Sequence, residues 1–184
     1  PYLQSVVAGD RLRCVRVLQG FSRIERNSEN MRSSDLFNAQ EWLPVTEVFG
    51  EGIFIEFDSE RIQQWLDGIH AQKVSDRCRH ISNNFSRLTS SIRQGFSSNG
   101  RIFVPNPKFV MLHTFAHMLL LRMQYYAGYS SSALRERIYC DMPTDSSEHL
   151  MSGVLLYTSS GDSEGSMGGV VEMGRPEALL PLIL

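Results

Sequence analysis

Lysine is nearly missing from this chain: of 18 basic residues only Lys73 and Lys108 are lysines, and the rest are arginines. Against 20 acidic residues they leave a net charge of −2, which excludes the broad positive field of a chain that holds nucleic acid by bulk charge. Arginine offers planar, bidentate donors, so the choice predicts ion pairs with carboxylates or contacts to phosphate, with surface ion pairs the simpler outcome. Cysteine is scarce as well. Cys14, Cys78 and Cys140 are far apart and form no CxxC pair, which excludes a disulfide framework and a complete cysteine metal site here and predicts reduced thiols in a cytoplasmic setting. Apolar runs are short: the longest, Phe109–Leu121, falls below bilayer length and carries His113 and His117. No secretory leader pattern opens the chain.

What is present fits one domain. The 184 residues are 42% hydrophobic, enough apolar matter for a real core. Both ends read as cut, at Pro1-Tyr2-Leu3 and at the apolar run Leu180-Pro181-Leu182-Ile183-Leu184, so residues 1–184 are expected to be a piece of a longer protein. Residues 1–58 read as β-rich. Leu12–Leu18 is aliphatic and β-branched, and Gly52–Phe57 alternates, with Ile53, Ile55 and Phe57 on one face and Phe54, Glu56 and Asp58 on the other. Arg26–Gln40, between them, is polar and aperiodic, a loop.

Residues 59–100 read as amphipathic helices. Asp58 or Ser59 caps a short one with the stripe Ile62, Trp65, Leu66 and Ile69, and Val74, Cys78, Ile81, Phe85, Leu88 and Ile92 share one face of the next. Asn106 and Pro107 open a helix that Gly128 closes, and its apolar middle predicts a central element at about 107–127 covered on all sides. Arg135–Tyr139 follows as a strand or short helix, then a strand at Val154–Tyr157, a glycine loop, a short helix through Val170 and Val171, and a last helix opened by Pro176. The fold class is α+β or α/β: a mixed sheet packed with a buried central helix and amphipathic helices.

Three groups of residues are candidates for chemistry. His113 and His117 stand four apart, so a helix aims both imidazoles to one side, but the segment His113-Thr114-Phe115-Ala116-His117 lacks the glutamate of the HExxH protease helix. A structural zinc needs two more ligands and none stands nearby in sequence. Both histidines are therefore expected as structural core residues, hydrogen-bonded to backbone or carboxylate partners, with no metal and no catalytic residue assigned. Arg135 and Arg137 flank Glu136; in a strand the two arginines share one face and Glu136 takes the other, with Leu134 and Ile138 beside it. The arginines either hold phosphate or pair with Asp162 and Glu164, the two carboxylates of the glycine loop Gly161–Gly165, in a structural latch. The loop has neither GxGxxG nor GxxxxGK[ST] spacing, and its acids would repel a phosphate unless a divalent cation lay between. The alternative is thus a metal-dependent nuclease or phosphodiesterase using Asp162, Glu164 and His113 or His117.

Five ordered blocks carry a resemblance: RLRCVRVLQGFSRI (Arg11–Ile24), WLPVTEVFGEGIFIEFD (Trp42–Asp58), LHTFAHMLL (Leu112–Leu120), GYSSSALRERIYC (Gly128–Cys140) and GVLLYTSSGDSEGSMGGVV (Gly153–Val171). Together they resemble the DrmB family of the bacterial DISARM anti-phage system, C-terminal part. The last three are also similar to the MZB domain of MrfA-type repair helicases. The resemblance implies that residues 107–184 are an MZB-type core without its four-cysteine zinc cluster, which would lie beyond Leu184. It implies a non-catalytic partner of a DrmA-like superfamily 2 helicase that meets DNA through the complex, with Arg135, Arg137, Asp162 and Glu164 as DNA or partner contacts. It further implies no cofactor on this chain, zinc in the full-length protein, no membrane and no small-molecule substrate.

Overall fold

Period-two alternation builds strands with one buried face, and those strands set the frame for everything else. The computed structural model describes residues 2–22, 32–34, 42–85, 97–98, 101–102, 106–128, 133–140, 151–158 and 168–184. Its elements are β1 (Leu3–Val17), β2 (Gly20–Phe21), β3 (Arg32–Ser33), β4 (Val45–Phe57), α1 (Ser59–Leu66), α2 (Ile69–Phe85), β5 (Ser97–Ser98), β6 (Arg101–Ile102), α3 (Pro107–Ala127), β7 (Leu134–Cys140), β8 (Ser152–Thr158), α4 (Gly169–Met173) and α5 (Pro176–Ile183). The main sheet has the order β1-β4-β8-β7, with every neighbouring pair antiparallel. The class is α+β. Antiparallel pairing throughout also removes the switch point at which a parallel sheet gathers ligands.

Ile53, Ile55 and Phe57 of β4 and Val154 and Leu156 of β8 are buried on one face. Helix α3 covers that face with Leu112, Ala116, Leu119, Leu120 and Met123, and Val170, Met173, Leu179 and Leu182 complete the core. On the other face Gly153 leaves a gap over β8. The Phe54 ring passes through it, since a Cβ there would lie 2.4 Å from Phe54 Cζ, and meets Tyr139 edge-on with centroids 5.5 Å apart.

The strand expected at Leu12–Leu18 is one end of a much longer element. β1 pairs with β4 from Leu3 opposite Phe57 to Val17 opposite Val45, with irregularities between Leu3 and Ser5 and between Gly9 and Leu12. β8 reaches β4 only from Gly52 to Glu56. Beyond that the β1–β4 ribbon stands as a two-stranded arm, and Val15, Val17 and Val45 on it are exposed. At its far end the two-residue ladder of β2 and β3 brings Gly20 opposite Ser33; of the expected loop Arg26–Gln40, residues 26–31 and 35–40 lie outside the described residues.

Helix ends follow their caps. Asp58 Oδ1 accepts the N–H groups of Glu60 and Arg61 at 2.9 and 3.0 Å. Asn106 Oδ1 accepts from Phe109 N at 2.7 Å, and Gly128 closes α3 at φ 72°, in the left-handed region that glycine tolerates. The expectation that α3 is covered all round fails. Tyr125 is 95% and Leu121 65% exposed, with Met118 and Tyr126 also open, because a single sheet covers only one side of a helix. No helix among the described residues is long and apolar enough to cross a membrane.

Cys78 is buried on α2, as its periodicity predicts, while Cys14 and Cys140 are half-buried. Burial pushes the Cys78 thiol up, against the opposing pull of Arg77. The thiolate is the reactive form, so alkylation of the native protein near neutral pH should label Cys78 last, and urea should abolish the delay. Peptide mapping by mass spectrometry of a timed iodoacetamide reaction checks this.

Candidate functional site

Strand β7 sorts its charges by face. Leu134 is buried and Ile138 packs against the core, so Glu136 between them is directed to the same inner side, while Arg135 and Arg137 are exposed on the other. Helix α3 runs along that inner side, and its cap at Asn106 fixes the turn phase that puts His113 and His117 over Glu136. His113 Nε2 lies 2.8 Å from Glu136 Oε1, His117 Nε2 lies 3.2 Å from the same oxygen, and the two nitrogens are 3.0 Å apart. The Phe109 ring stacks on His113 with centroids 5.4 Å apart, which steadies the imidazole.

Glu136 is deeply set, its side chain 18% exposed. Its second oxygen, Oε2, is buried and has no hydrogen-bond partner among the described residues. An inward carboxylate needs compensation, and the imidazoles are its visible source. The carboxylate partner expected for the histidines therefore exists, but they are not core residues: their side chains are 43% and 59% exposed. The reason is position, since β7 is the outer strand of the sheet and the helix flank above it faces an open cleft. That cleft, about 490 Å³, is lined by His117, Leu121, Gln124, Arg135, Glu136 and Tyr157. Glu136 is the ligand-type residue that a search by sequence proximity passes over.

The arginines sit where strand alternation puts them. Arg137 lies over the Tyr139 ring, 5.7 Å from its centroid, and Arg135 stands at the rim of the cleft. Asp162 and Glu164 lie outside the described residues, and with them the latch and the carboxylate pair of the nuclease reading. So does Ser163, around which Gly161–Gly165 spells G-x-S-x-G. A nucleophile elbow requires a sharp strand-to-helix turn on an α/β sheet, whereas the main sheet described here is antiparallel.

The backbone at Gly168 and Val170 is anchored by a residue that was not a candidate. Glu51, 2% exposed, accepts the Gly168 N–H at 2.5 Å on Oε2 and the Val170 N–H at 2.9 Å on Oε1. The start of α4, the place where a phosphate would be sought, is thus filled by the protein's own carboxylate. Cys14, Cys78 and Cys140 stand on β1, α2 and β7 outside any disulfide, and none of them belongs to the group His113, His117 and Glu136 whose ligand atoms converge.

These features define an α+β domain with helices on one face of an antiparallel sheet and a two-histidine, one-carboxylate cluster at its edge. No protein-family model matches the chain. The DISARM protein DrmB of Bacillus paralicheniformis is 38% identical to it over 192 aligned residues, which take in all of this chain and 31% of that protein. The chain is therefore similar along its whole length to about a third of a DrmB protein, as the five blocks imply.

Proposed function

We propose that this chain is a region of a DISARM-type DrmB protein that acts in bacterial anti-phage defence in the cytoplasm, as a non-catalytic partner of a DrmA-like superfamily 2 helicase. The observation that carries the reading is the 38% identity sustained over the entire chain. The structure adds supporting chemistry: α3 leaves Met118, Leu121, Tyr125 and Tyr126 exposed, and contiguous apolar surface of that kind is where proteins associate. Arg135 and Arg137 project from the outer face of β7, and stacking on Tyr139 holds the Arg137 guanidinium in place. Paired guanidinium groups suit the phosphate backbone and give affinity without sequence preference.

The test uses the full-length protein assembled with its helicase. Each phosphate contact contributes about 0.9 to the slope of log K against log salt, so changing Arg135 and Arg137 together to alanine should flatten that slope by about two. Fluorescence anisotropy on a labelled duplex over a salt series measures it. An unchanged slope removes both arginines from the DNA contact, and failure of the full-length protein to copurify with the helicase overturns the partnership.

A further inference from the structure

We propose that His113, His117 and Glu136 form a binding site for a divalent transition-metal ion of the zinc class, with a coordination position left open toward the cleft. With Glu136 ionised, its Oε1 is an acceptor only, so contacts of 2.8 and 3.2 Å require an N–H on both Nε2 atoms. Two N–H donors then face each other across the 3.0 Å that separates the nitrogens. Removing either proton repairs that contact and sets an imidazole lone pair against the carboxylate. An imidazole nitrogen is a donor or an acceptor, never both, so no assignment satisfies all three contacts of the ionised cluster. A cation between three lone pairs satisfies them at once.

The dimensions and donor types agree. Zinc bonds of 2.0–2.2 Å to imidazole and carboxylate in a tetrahedron imply donor separations of about 3.3 Å, slightly wider than the triangle of 2.8, 3.0 and 3.2 Å found here. An ion would sit about 1 Å out of the plane of the three donors, and the exposure of both imidazoles leaves it a path from solvent. Two imidazoles and one carboxylate suit zinc and its first-row neighbours over magnesium or calcium, which take oxygen. The ion's charge would also compensate a carboxylate whose Oε2 lacks a partner among the described residues. Three protein ligands leave a fourth position. The cleft on that side is bounded by Gln124, Tyr157 and Arg135, a polar and cationic lining that favours water or an anionic oxygen there.

The site stands independently of the DISARM reading, and its test needs neither helicase nor DNA. Full-length protein stripped with a chelator is titrated with Co²⁺ and then Zn²⁺, alongside His117→Ala and Glu136→Gln. His117 is largely exposed, so its variant should fold, and circular dichroism verifies that. The wild type should bind one equivalent more than either variant, and Co²⁺ in the extra site should give visible d–d bands without the near-ultraviolet thiolate absorption of a cysteine site. Zn²⁺ should raise the melting temperature of the wild type further than that of either variant. Equal stoichiometry in the wild type and a folded His117→Ala variant would overturn the proposal, as would cobalt bands that persist unchanged in both variants.

Discussion

Gly52→Ala should destabilise the protein by about 3 kcal/mol, and Gly52→Val should prevent folding. A Cβ at this position would lie 2.6 Å from the Leu156 carbonyl oxygen, 2.8 Å from Tyr157 Cβ and 2.9 Å from Leu12 Cδ1. The first of these is backbone of the paired strand. It cannot retreat without breaking the register that sets Gly52 opposite Tyr157 and Ile53 opposite Leu156, and the buried Ile53, Ile55, Val154 and Leu156 depend on that register. Gly153→Ala is the informative comparison. Its Cβ would collide with the end of the Phe54 ring, which can swing aside at the expense of its contact with Tyr139, so the effect should be about half as large. Urea denaturation followed by tryptophan fluorescence ranks the two. If Gly153→Ala proved the more damaging, the fixed β4–β8 register would not be what confines Gly52.

Alternation and capping made much of this fold legible. The inner face of β4, the Asp58 cap, the Asn106-Pro107 start and Gly128 end of α3, and the strand at Val154–Tyr157 all follow from spacing, because these features are local. The covering of α3 was not legible. An apolar helix pattern records how much surface is suited to burial, and the layer that buries it is decided by strands elsewhere; one four-stranded sheet leaves Leu121 and Tyr125 open. The length of β1 was hidden for a similar reason: its unexpected part, Leu3–Arg11, belongs to an edge strand in which Val6 and Val7 are exposed, so no fully buried face imposes alternation there.

The candidate site was half legible. His113 and His117 announce themselves by their spacing, and strand alternation already places Glu136 opposite its flanking arginines. What proximity in sequence could not give is that the inner side of β7 lies under the histidine face of α3. The usable signal was an acid at an inward position of a strand. Leu134-Glu136-Ile138 shows it, and so does Glu51, two residues before Ile53 on the same side of β4. In each case the strand sends a carboxylate toward the core, and a helix supplies its partners: imidazoles at α3, backbone amides at α4.

That second acid carries the other large effect. Glu51→Ala should lower stability by about 3 kcal/mol, since it strands two amides at or near the core, and an orphaned donor costs about 1–3 kcal/mol. No side chain of the N-cap residue Gly168 can replace it, and Gly168 itself, at φ 112°, holds a conformation that other residues adopt only under strain. Helix α4 has five residues, too few to persist alone, yet it delivers Val170 and Met173 to the core. Loss of the cap should therefore detach the helix before the sheet melts. Glu51→Gln should recover less than half of the loss, because its amide NH₂ must face one of the two N–H donors. Hydrogen exchange distinguishes this from general destabilisation: in Glu51→Ala the amides of 168–173 should lose more protection than those of β4 and β8, which lose no more than the global stability falls. Equal acceleration of helix and sheet amides, or an alanine variant within about 0.5 kcal/mol of the wild type, would show that the carboxylate is not what fastens α4.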